Sequence, residues 1–590
     1  MGKKWVVKAE PDNELVQALQ NDLHLNPHIA KLLVQRNLKT KHQVERFFNP
    51  SLTHLYDPFL MKDMDKAIVR IKKAIERREK ILIYGDYDVD GTTAVAVLYS
   101  FLQHLDAQLD FYIPDRYTDG YGLSMRSIDY AEERGITLMI TLDCGIKANE
   151  QVAYANSKKI DVIISDHHRP GEILPDALAV LDPKRIDCEY PYKELSGCGV
   201  GFKITQAYCR KYGLEEAKLV YPLLDLVAIS IASDIVPITD ENRVLSYFGL
   251  QQINTAPRPG IEAILKYSNI KQNSPNVYQS IQSASSSNYF NKQLTINDLV
   301  FLVGPRINAA GRIASGRKAV SLLLCDNIEE ASIVGKKIND FNTERKNLDH
   351  QATQEALSFL QNNEFLKDRK STVVFDASWS KGVIGIVASR LTETYYRPTI
   401  VFTESNGALT GSARSVKGFD IYDAIEACSD LLEHFGGHKY AAGLSIKPEN
   451  FEAFRDRFEK NVCNFLQGKK LVPEIEIDSI INISDITSDF FRELKKFAPF
   501  GPGNMNPVFA SYKVKDSGNA RIVGGNNHLK VSVFQMEPSS FPMNGIAFQL
   551  GHYCDCIQRG QAFNICYHIE ENEWNGNVSL QLNVKDIRID

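Results

Sequence analysis

Residues 81–92 read ILIYGDYDVDGT, an apolar run that ends in aspartates at three alternate positions. Two further runs have the same form: LMITLDCG at residues 138–145 and VIISDHH at residues 162–168. Each run has the composition of a buried strand and stops at carboxylate or imidazole side chains. In an open α/β sheet the carboxyl ends of the strands line the binding crevice, so these side chains are expected to converge.

Carboxylates that converge in one crevice repel one another unless cations neutralise them. A single aspartate after a strand is more often a helix N-cap or a turn residue. Three such endings in succession, one of them Asp166-His167-His168, are hard to explain as caps. The pattern therefore predicts a divalent-metal site and hydrolytic metal chemistry.

Strands and helices alternate after residue 80, which is typical of βαβ units and a parallel sheet. The pattern predicts strands at 81–86, 108–113, 137–142 and 160–165, and helices at 91–104, 124–133 and 147–157. A charged, helix-prone stretch runs from Asp326 to about Gln361, and a second α/β pattern begins at Thr372. The predicted fold class is α/β, with two lobes joined by a long helix.

From about Leu471 the sequence changes to short alternating strands with Gly/Asn turns, which indicates a small β-barrel. We expect a helical region at 1–60, a first lobe at 61–325, a connecting helix at 326–364, a second lobe at 365–468 and a barrel at 469–590. The residues at 271–294 are rich in Ser, Asn and Gln and are expected to form a surface insertion.

The 590-residue chain is 44% apolar, which is enough for several hydrophobic cores. Its apolar runs fall short of the roughly 20 residues that span a bilayer, and no secretory leader is expected. Ten cysteines form no Cys-x-x-Cys pair, which is typical of reduced thiols in a cytoplasmic protein. With a formal net charge of −5, binding to a polyanion must use local basic clusters and bound metal.

The order of the acidic motifs resembles the DHH phosphoesterase superfamily, and the rest of the chain resembles its RecJ single-strand exonucleases. The second resemblance rests on FLVGPRINAAGR at 301–312, WSKGVIGIVA at 379–388, GSARS at 411–415, FGGH at 435–438 and PFGPGN at 499–504. It covers roughly residues 30 to 590 in the family's order. It implies a DHH lobe, a DHH-associated lobe and a terminal OB-fold barrel.

The resemblance implies five metal ligands and two Mn²⁺ or Mg²⁺ ions, which suit oxygen-rich sites. The ligands are Asp88, Asp90, Asp143, His167 and Asp234. Asp143 is the expected bridge between the ions. Asp86 and Asp166 are expected to orient ligands. Two choices stay open: which two of the aspartates at 86, 88 and 90 bind directly, and whether Asp225 replaces Asp234.

The resemblance also implies residues that act on the end of a nucleic acid strand. Arg116, Ser412 and Arg414 would form a pocket for the 5′ phosphate, since arginine binds phosphate in a forked geometry. His168 would face the scissile phosphate, and His438 would donate to a phosphate oxygen. These two histidines and Asp143 form the implied catalytic set.

Three more residues would contact the strand between the lobes: Arg306, Asn308 and Arg312. Tyr84 or Tyr87 would stack on a base or sugar, although packing in the core explains either tyrosine equally well. One departure from the family pattern is Asp182-Pro183, where relatives often have Asn-Pro. It touches no implied ligand.

The implied function is a single-stranded-DNA-specific 5′→3′ exonuclease that releases 5′-mononucleotides in recombination and repair. We expect a cytoplasmic monomer that acts on single-stranded DNA, with a single-strand-binding protein or a RecQ-type helicase as partner. One alternative is a DHH phosphodiesterase acting on short oligoribonucleotides or cyclic dinucleotides, which the length of the chain disfavours. The other is an inactive DHH-fold scaffold of a replication complex, which the five intact ligand positions disfavour.

Overall fold

The computed structural model describes residues 2–116, 118–120, 122–273, 289–405, 407–525, 527–535, 541–574 and 577–589. The chain forms two compact units. Unit 1 contains Pro58–Asp234 and Gly249–Pro473, and unit 2 contains Gly2–Asp57, Ile235–Phe248 and Glu474–Asp590. Each unit is therefore assembled from separate stretches of the chain. Most of the predicted insertion at 271–294 lies outside the described residues.

Unit 1 begins with a five-stranded parallel sheet, which we call the first sheet. In spatial order its strands are Gln108–Tyr112, Lys80–Gly85, Ile136–Leu142, Asp161–Ser165 and Ala179–Leu181. The helices around it are Met64–Glu76, Val89–Gln103, Met125–Glu133, Asn149–Ser157 and Gly197–Tyr212. The central strands are apolar and buried on both faces, as helices on both sides of a parallel sheet require. The predicted fold class is confirmed.

Further helices follow the first sheet along the chain. They are Glu216–Leu219, Leu224–Ser233, Asp240–Thr255, Pro259–Lys266, Ile296–Asp298, Gly304–Ile313 and Arg317–Leu323, with a π-helical turn at Leu299–Val303. A helix of 35 residues, Ile328–Asn362, then leads to the second lobe. Among the described residues, no helix combines the length and the apolar character needed to cross a membrane.

The second lobe of unit 1 is built on a five-stranded mixed sheet. Its spatial order is Leu432–His438, Ala441–Ile446, Ala408–Arg414, Thr399–Ser405 and Thr372–Phe375. The last pair is parallel and the other pairs are antiparallel. The helices of this lobe are Glu364–Lys367, Ile384–Tyr395, Ile421–Glu426 and Phe451–Leu466. The sheet and its last helix enclose an aromatic core, in which Phe402 lies edge-on to Phe451 and Phe454.

Unit 2 contains a closed five-stranded barrel. Around the ring its strands are Phe509–Asp516, Phe563–Trp574, Asn577–Ile589, Met543–Ala547 and His528–Phe534, and the last pairs again with the first. The short strands Ser479–Ile480 and Arg521–Val523 and the helices Ser488–Lys495 and Cys554–Gln558 are attached to it. The predicted OB-like barrel in the tail is confirmed.

The first 60 residues are expected to be helical, but they include a strand and share a core with the barrel. Strand Lys4–Val7 pairs in parallel with Glu474–Ile477. Three helices follow, Asn13–Leu23, Pro27–Gln35 and Lys41–Phe48. Their buried side chains, such as Leu33, join one hydrophobic cluster with those of the barrel, such as Phe509. The N-terminal residues therefore complete the tail domain.

Candidate functional site

Acidic and imidazole side chains collect at the carboxyl ends of the first sheet. Three groups of possible ligand atoms lie there, each within 4.8 Å: Asp143, His167 and His168; Asp90, His167 and Asp234; Asp86, Asp88 and Asp143. All five predicted metal ligands belong to these groups. Asp143 and His167 each belong to two of them, which makes both central to the cluster.

The first motif turns sharply from strand to helix. Asp88 is the N-cap of helix Val89–Gln103, and its Oδ1 accepts a hydrogen bond from the Gly91 N–H at 3.1 Å. A Cβ at Gly91 would lie 2.4 Å from the Asp86 carbonyl oxygen, so the turn closes only around glycine. The ordinary capping role is thus real, and the same aspartate also belongs to a ligand group.

The start of helix Gly197–Tyr212 holds Asp90. The N–H groups of Gly197 and Cys198 each donate to its carboxylate at 2.7 Å, and the Ser230 hydroxyl donates at the same distance. The positive end of a helix therefore faces this carboxylate. The signal in the sequence is the run GCGVG at 197–201, a glycine-rich helix start that the predicted site residues do not include.

Asp143 occupies a crowded position directly after its strand. Its φ of 60° lies in the left-handed region, which aspartate adopts more readily than most residues. A Cβ at Gly197 would lie 2.6 Å from the Asp143 Cβ, so glycine permits this close approach. The buried Oδ1 of Asp143 lies 3.1 Å from Nε2 of His167. Neither atom has a hydrogen bond among the described residues.

His167 is held through one ring nitrogen and offers the other. Nδ1 lies 3.0 Å from the Leu195 carbonyl oxygen, to which it donates as an N–H. Nε2 lies 3.6 Å from carboxylate oxygens of both Asp90 and Asp234. Burial lowers the pKa of His167, so the ring is neutral at pH 7. A neutral imidazole anchored in this way presents its free nitrogen as a metal ligand.

The cluster carries more negative charge than its surroundings neutralise. Burial first, and then the charges of neighbouring aspartates, raise the pKa values of Asp86, Asp143 and Asp234 well above the ordinary value. Asp86 Oδ1 is a further buried atom without a hydrogen bond among the described residues. Divalent cations would relieve both the repulsion and the missing contacts, so these residues fit an oxygen-rich metal site.

Asp166 orients its neighbours. Its Oδ1 accepts from the N–H groups of His167 and His168 and from Nδ1 of His168, and its Oδ2 accepts from the Ile146 N–H. Burial alone would lower the pKa of His168, but the hydrogen bond and the charge of Asp166 raise it to about 9. His168 is therefore protonated at neutral pH, and it lies in a ligand group where it can donate to an anion.

Asp225, the alternative to Asp234, does not belong to the cluster. It is fully buried, and both of its carboxylate oxygens accept hydrogen bonds from Arg258 at 2.6 Å. This forked ion pair uses the carboxylate for packing helices together. Of the two, Asp234 is the residue that lies beside His167.

A second concentration of polar groups lies at the start of helix Ile384–Tyr395. A Cβ at Gly385 would lie 3.0 Å from the Ser412 Oγ and 3.1 Å from Nη2 of Arg414. Both side chains come from strand Ala408–Arg414, at alternate positions on one face. A helix N-terminus with a hydroxyl and a guanidinium beside it has the features of an anion site.

Two more predicted arginines belong to the same region. Arg312 donates from Nη1 to the Gly382 carbonyl oxygen at 2.8 Å. Burial first, and then the charges of neighbouring arginines, Arg116 and Arg414 among them, lower the pKa of Arg312 to about 10. Arg116 lies 4.0 Å above the ring of Tyr87. Guanidinium groups this close together favour an anion among them.

Arg306 is predicted to contact the strand, but the structure gives it an internal role. It is 6% exposed and donates to two backbone carbonyls and to the Asn339 side chain. Asn308 is half-buried on the same helix. Tyr84 is fully buried, and its hydroxyl donates to the Gly122 carbonyl, so the core explanation holds for this tyrosine.

His438 ends strand Leu432–His438 and is exposed. Partial burial first, and then the charges of His168, Lys147 and Lys184, lower the pKa of His438. These charges place His438 within electrostatic reach of His168. The structure thus brings both predicted catalytic histidines to one region of unit 1.

Comparison with known proteins agrees with this architecture. Three family profiles match this chain. The N-terminal domain of the DHH family matches residues 80–231, the DHHA1 domain matches residues 368–463, and the RecJ OB domain matches residues 477–586. The single-stranded-DNA-specific exonuclease RecJ of Bacillus subtilis is 36% identical to this chain, with 99% of this chain and 71% of that protein covered.

Two crystal structures of RecJ from Thermus thermophilus have the same fold. The complex with Mn²⁺ matches with a TM-score of 0.81 at 25% identity, covering 100% of this chain and 80% of that chain. The complex with Mg²⁺ matches with a TM-score of 0.75 at 24% identity, covering 100% of this chain and 78% of that chain.

Proposed function

This chain belongs to the family of RecJ single-stranded-DNA-specific exonucleases, and we propose that it degrades single-stranded DNA from the 5′ end. The reaction is a metal-dependent hydrolysis of phosphodiester bonds that releases 5′-mononucleotides in DNA recombination and repair. The observation that carries this proposal is the convergence of all five predicted ligands, three buried and two partly buried, in one cluster with excess negative charge.

We assign two ions, Mn²⁺ or Mg²⁺, to Asp88, Asp90, Asp143, His167 and Asp234, with Asp143 shared. Carboxylates with a single imidazole suit these hard cations. When bound, such ions polarise phosphoryl oxygens and activate water for attack. The chain itself holds the ligands ready, because helix-start amides fix Asp90 and a backbone carbonyl fixes the ring of His167.

His168 and His438 donate hydrogen bonds to the negatively charged phosphates of the substrate. His168, kept protonated by Asp166, donates to a non-bridging oxygen of the scissile phosphate. His438 donates to the same phosphate or to its neighbour. Both roles are proposals: the first rests on the place of His168 in a ligand group, and the second on the effect that the charge of His168 has on His438.

We assign the 5′ phosphate of the strand to the start of helix Ile384–Tyr395. Ser412 and Arg414 reach this helix end, and Arg116 and Arg312 add positive charge. A phosphate bound there gains charge-assisted hydrogen bonds that a 5′ hydroxyl cannot make. The pocket would therefore select the end from which the enzyme works.

The two alternatives are weaker. The barrel of unit 2 favours a long single strand over a small phosphodiester, because such barrels bind strands through stacking and phosphate contacts. A scaffold needs no ligands, whereas the cluster is complete. We further propose that the enzyme is a cytoplasmic monomer and meets a single-strand-binding protein or a RecQ-type helicase on its substrate.

The test uses end-labelled single- and double-stranded DNA and RNA with Mn²⁺, Mg²⁺ or EDTA. We expect a 5′ label to leave single-stranded DNA as a mononucleotide at the start of the reaction, and only with metal present. Asp143→Asn serves as the blank. Early release of a 3′ label would contradict the polarity, and equal rates on duplex would contradict the specificity.

A further inference from the structure

The chain leaves unit 1 directly after Asp234. Ile235 is the first residue of the stretch that belongs to unit 2. Asp234 ends helix Leu224–Ser233, and its carboxylate lies 3.6 Å from Nε2 of His167. Its side chain is 28% exposed, against 1% for Asp90 and 4% for Asp143. Asp234 is therefore less enclosed by the other residues of the cluster than Asp90 and Asp143 are.

Ile235 has a strained backbone. Its φ of 61° lies in the left-handed region, which a β-branched residue rarely adopts because of steric crowding. Ile235 is 64% exposed, so packing of its own side chain does not hold it there. Such strain persists only where the residues around it fix the backbone.

The PFGPGN loop, residues 499–504, packs against the residues that follow Ile235 in the chain. The N–H of Ile238 donates to a carbonyl of this loop at 2.7 Å, and the Ile238 side chain is fully buried. A Cβ at Gly501 would lie 2.5 Å from Ile238 Cγ1, and a Cβ at Gly503 would lie 3.0 Å from Thr239 Cγ2. The loop thus has glycine at both points of close approach.

Arg243 adds a second hold on the same stretch of chain. It is 3% exposed and lies 3.8 Å above the ring of Phe47. Its guanidinium donates to five backbone carbonyls, those of Phe47, Lys496, Phe497, Ala498 and Pro499. A buried guanidinium with this many partners is costly to detach, so the stretch is firmly fixed in unit 2.

We propose that the PFGPGN loop and Arg243 are positioning residues for Asp234. By fixing the backbone that begins three residues after this ligand, they restrict where its carboxylate can point. The inference rests on the proposed function, which makes Asp234 a metal ligand. It gives unit 2 a part in hydrolysis, although none of the five assigned ligands belongs to that unit.

The test compares two glycines of unit 2 that share one backbone conformation. Gly503 (φ 73°) lies against Thr239, whereas Gly560 (φ 79°) has no atom within 4 Å of a built Cβ. Gly503→Ala and Gly560→Ala therefore introduce the same backbone strain, and only the methyl group added at residue 503 would contact Thr239. Mn²⁺ is titrated into each full-length variant without DNA, and free Mn²⁺ is measured by electron paramagnetic resonance.

We expect Gly503→Ala to weaken Mn²⁺ binding about tenfold and Gly560→Ala to leave it unchanged, since outer residues that orient ligands have effects of this size. The kcat should fall in Gly503→Ala while KM stays the same. Equal Mn²⁺ affinities in the two variants would overturn the inference. So would a loss in Gly503→Ala that comes with weaker binding of single-stranded DNA in EDTA, because unit 2 would then be damaged as a whole.

Two further variants complete the design. Asp234→Asn is the reference: if it leaves Mn²⁺ affinity unchanged, the proposed ligand set is wrong, whatever the glycine variants do. Gly501→Ala should also weaken Mn²⁺ binding, and Ile238→Ala should rescue it by removing the Cγ1 that the new methyl group meets. Simple additivity of the two changes would contradict a role through this contact.

Discussion

At Asp143, burial and the charges of Asp90 and Asp88 oppose ionisation of the carboxyl group, and its pKa is raised well above the ordinary value. Without bound metal, the Asp143 side chain therefore lowers the free energy of unfolding. We predict that Asp143→Asn lowers kcat by about a thousandfold or more, because it removes the residue that we propose as the ligand common to both metal ions. The Tm in EDTA should stay the same or rise. A fall in Tm with activity retained would contradict both assignments.

Asp225→Asn provides a control, because it should lower stability and leave metal binding unchanged. Asp225 is fully buried in a forked pair with Arg258, so breaking that pair should cost about 3–5 kcal/mol of unfolding free energy. Mn²⁺ affinity at a temperature where the variant is folded should not change. If Mn²⁺ binding fell although the variant was folded, the fifth metal ligand would have to be reassigned from Asp234 to Asp225.

Asp182 makes stability depend on pH. Burial first, and then the charge of Asp166, raise the pKa of Asp182 to about 7. Its contribution is complete below the ordinary pKa of the unfolded chain and is lost as the pH rises through about 7. Asp182→Asn has no carboxyl group to ionise at this position, so it should gain stability over the wild type by about 1.4 kcal/mol for each pH unit between pH 5 and pH 7, and little more between pH 7 and pH 8. The free energies of unfolding of both proteins are measured in EDTA at pH 5 and at pH 8. If they differ by the same amount at the two pH values, the ionisation of Asp182 does not affect stability.

Local elements follow local patterns closely. The predicted helix at 91–104 is Val89–Gln103, and the predicted strand at 137–142 is Ile136–Leu142, because period and composition are properties of neighbouring residues. Strand Lys4–Val7 was not predicted, since four residues whose partner lies at the other end of the chain leave no local signal. Side-chain partners are equally non-local. Arg306 and Arg312 lie on one helix, yet the first is buried against Tyr267 and the second donates to the carbonyl of Gly382, in the second lobe.

The strand that carries Ser412 and Arg414 should set the preference for phosphorylated ends. Arg414→Ala removes one guanidinium from the helix start, and we predict a loss of about 1.5–3 kcal/mol in the preference for 5′-phosphate over 5′-hydroxyl ends. Competition between the two substrates measures the ratio. Arg306→Ala is the control, because it should lower stability and leave the ratio unchanged. An unchanged ratio in Arg414→Ala would remove the pocket assignment.

The shared core of unit 2 decides how the molecule tolerates truncation. A chain that ends after Gly468 keeps the helices at 13–48 and loses the barrel against which buried residues such as Ile29, Leu33 and Val44 pack. Apolar surface of this kind costs about 25 cal/mol per Å² when it is exposed, so we predict aggregation of the truncated chain. Light scattering and dye binding measure it. A chain that also lacks residues 2–57 should aggregate less, and a monomeric, dye-silent product of the first truncation would contradict the shared core.

The same arrangement has a consequence for biosynthesis. The helices that end at Phe48 leave the ribosome early, but the tail residues with which they share a core begin only at Ile481. At an elongation rate of about 5–20 residues per second the interval is on the order of tens of seconds. During that time the first lobe can fold, while the apolar faces of the earliest helices stay without their partners. Nascent chains should therefore recruit a chaperone at the N-terminal helices until the tail emerges, and ribosome profiling of chaperone-bound chains would show where that protection begins and ends.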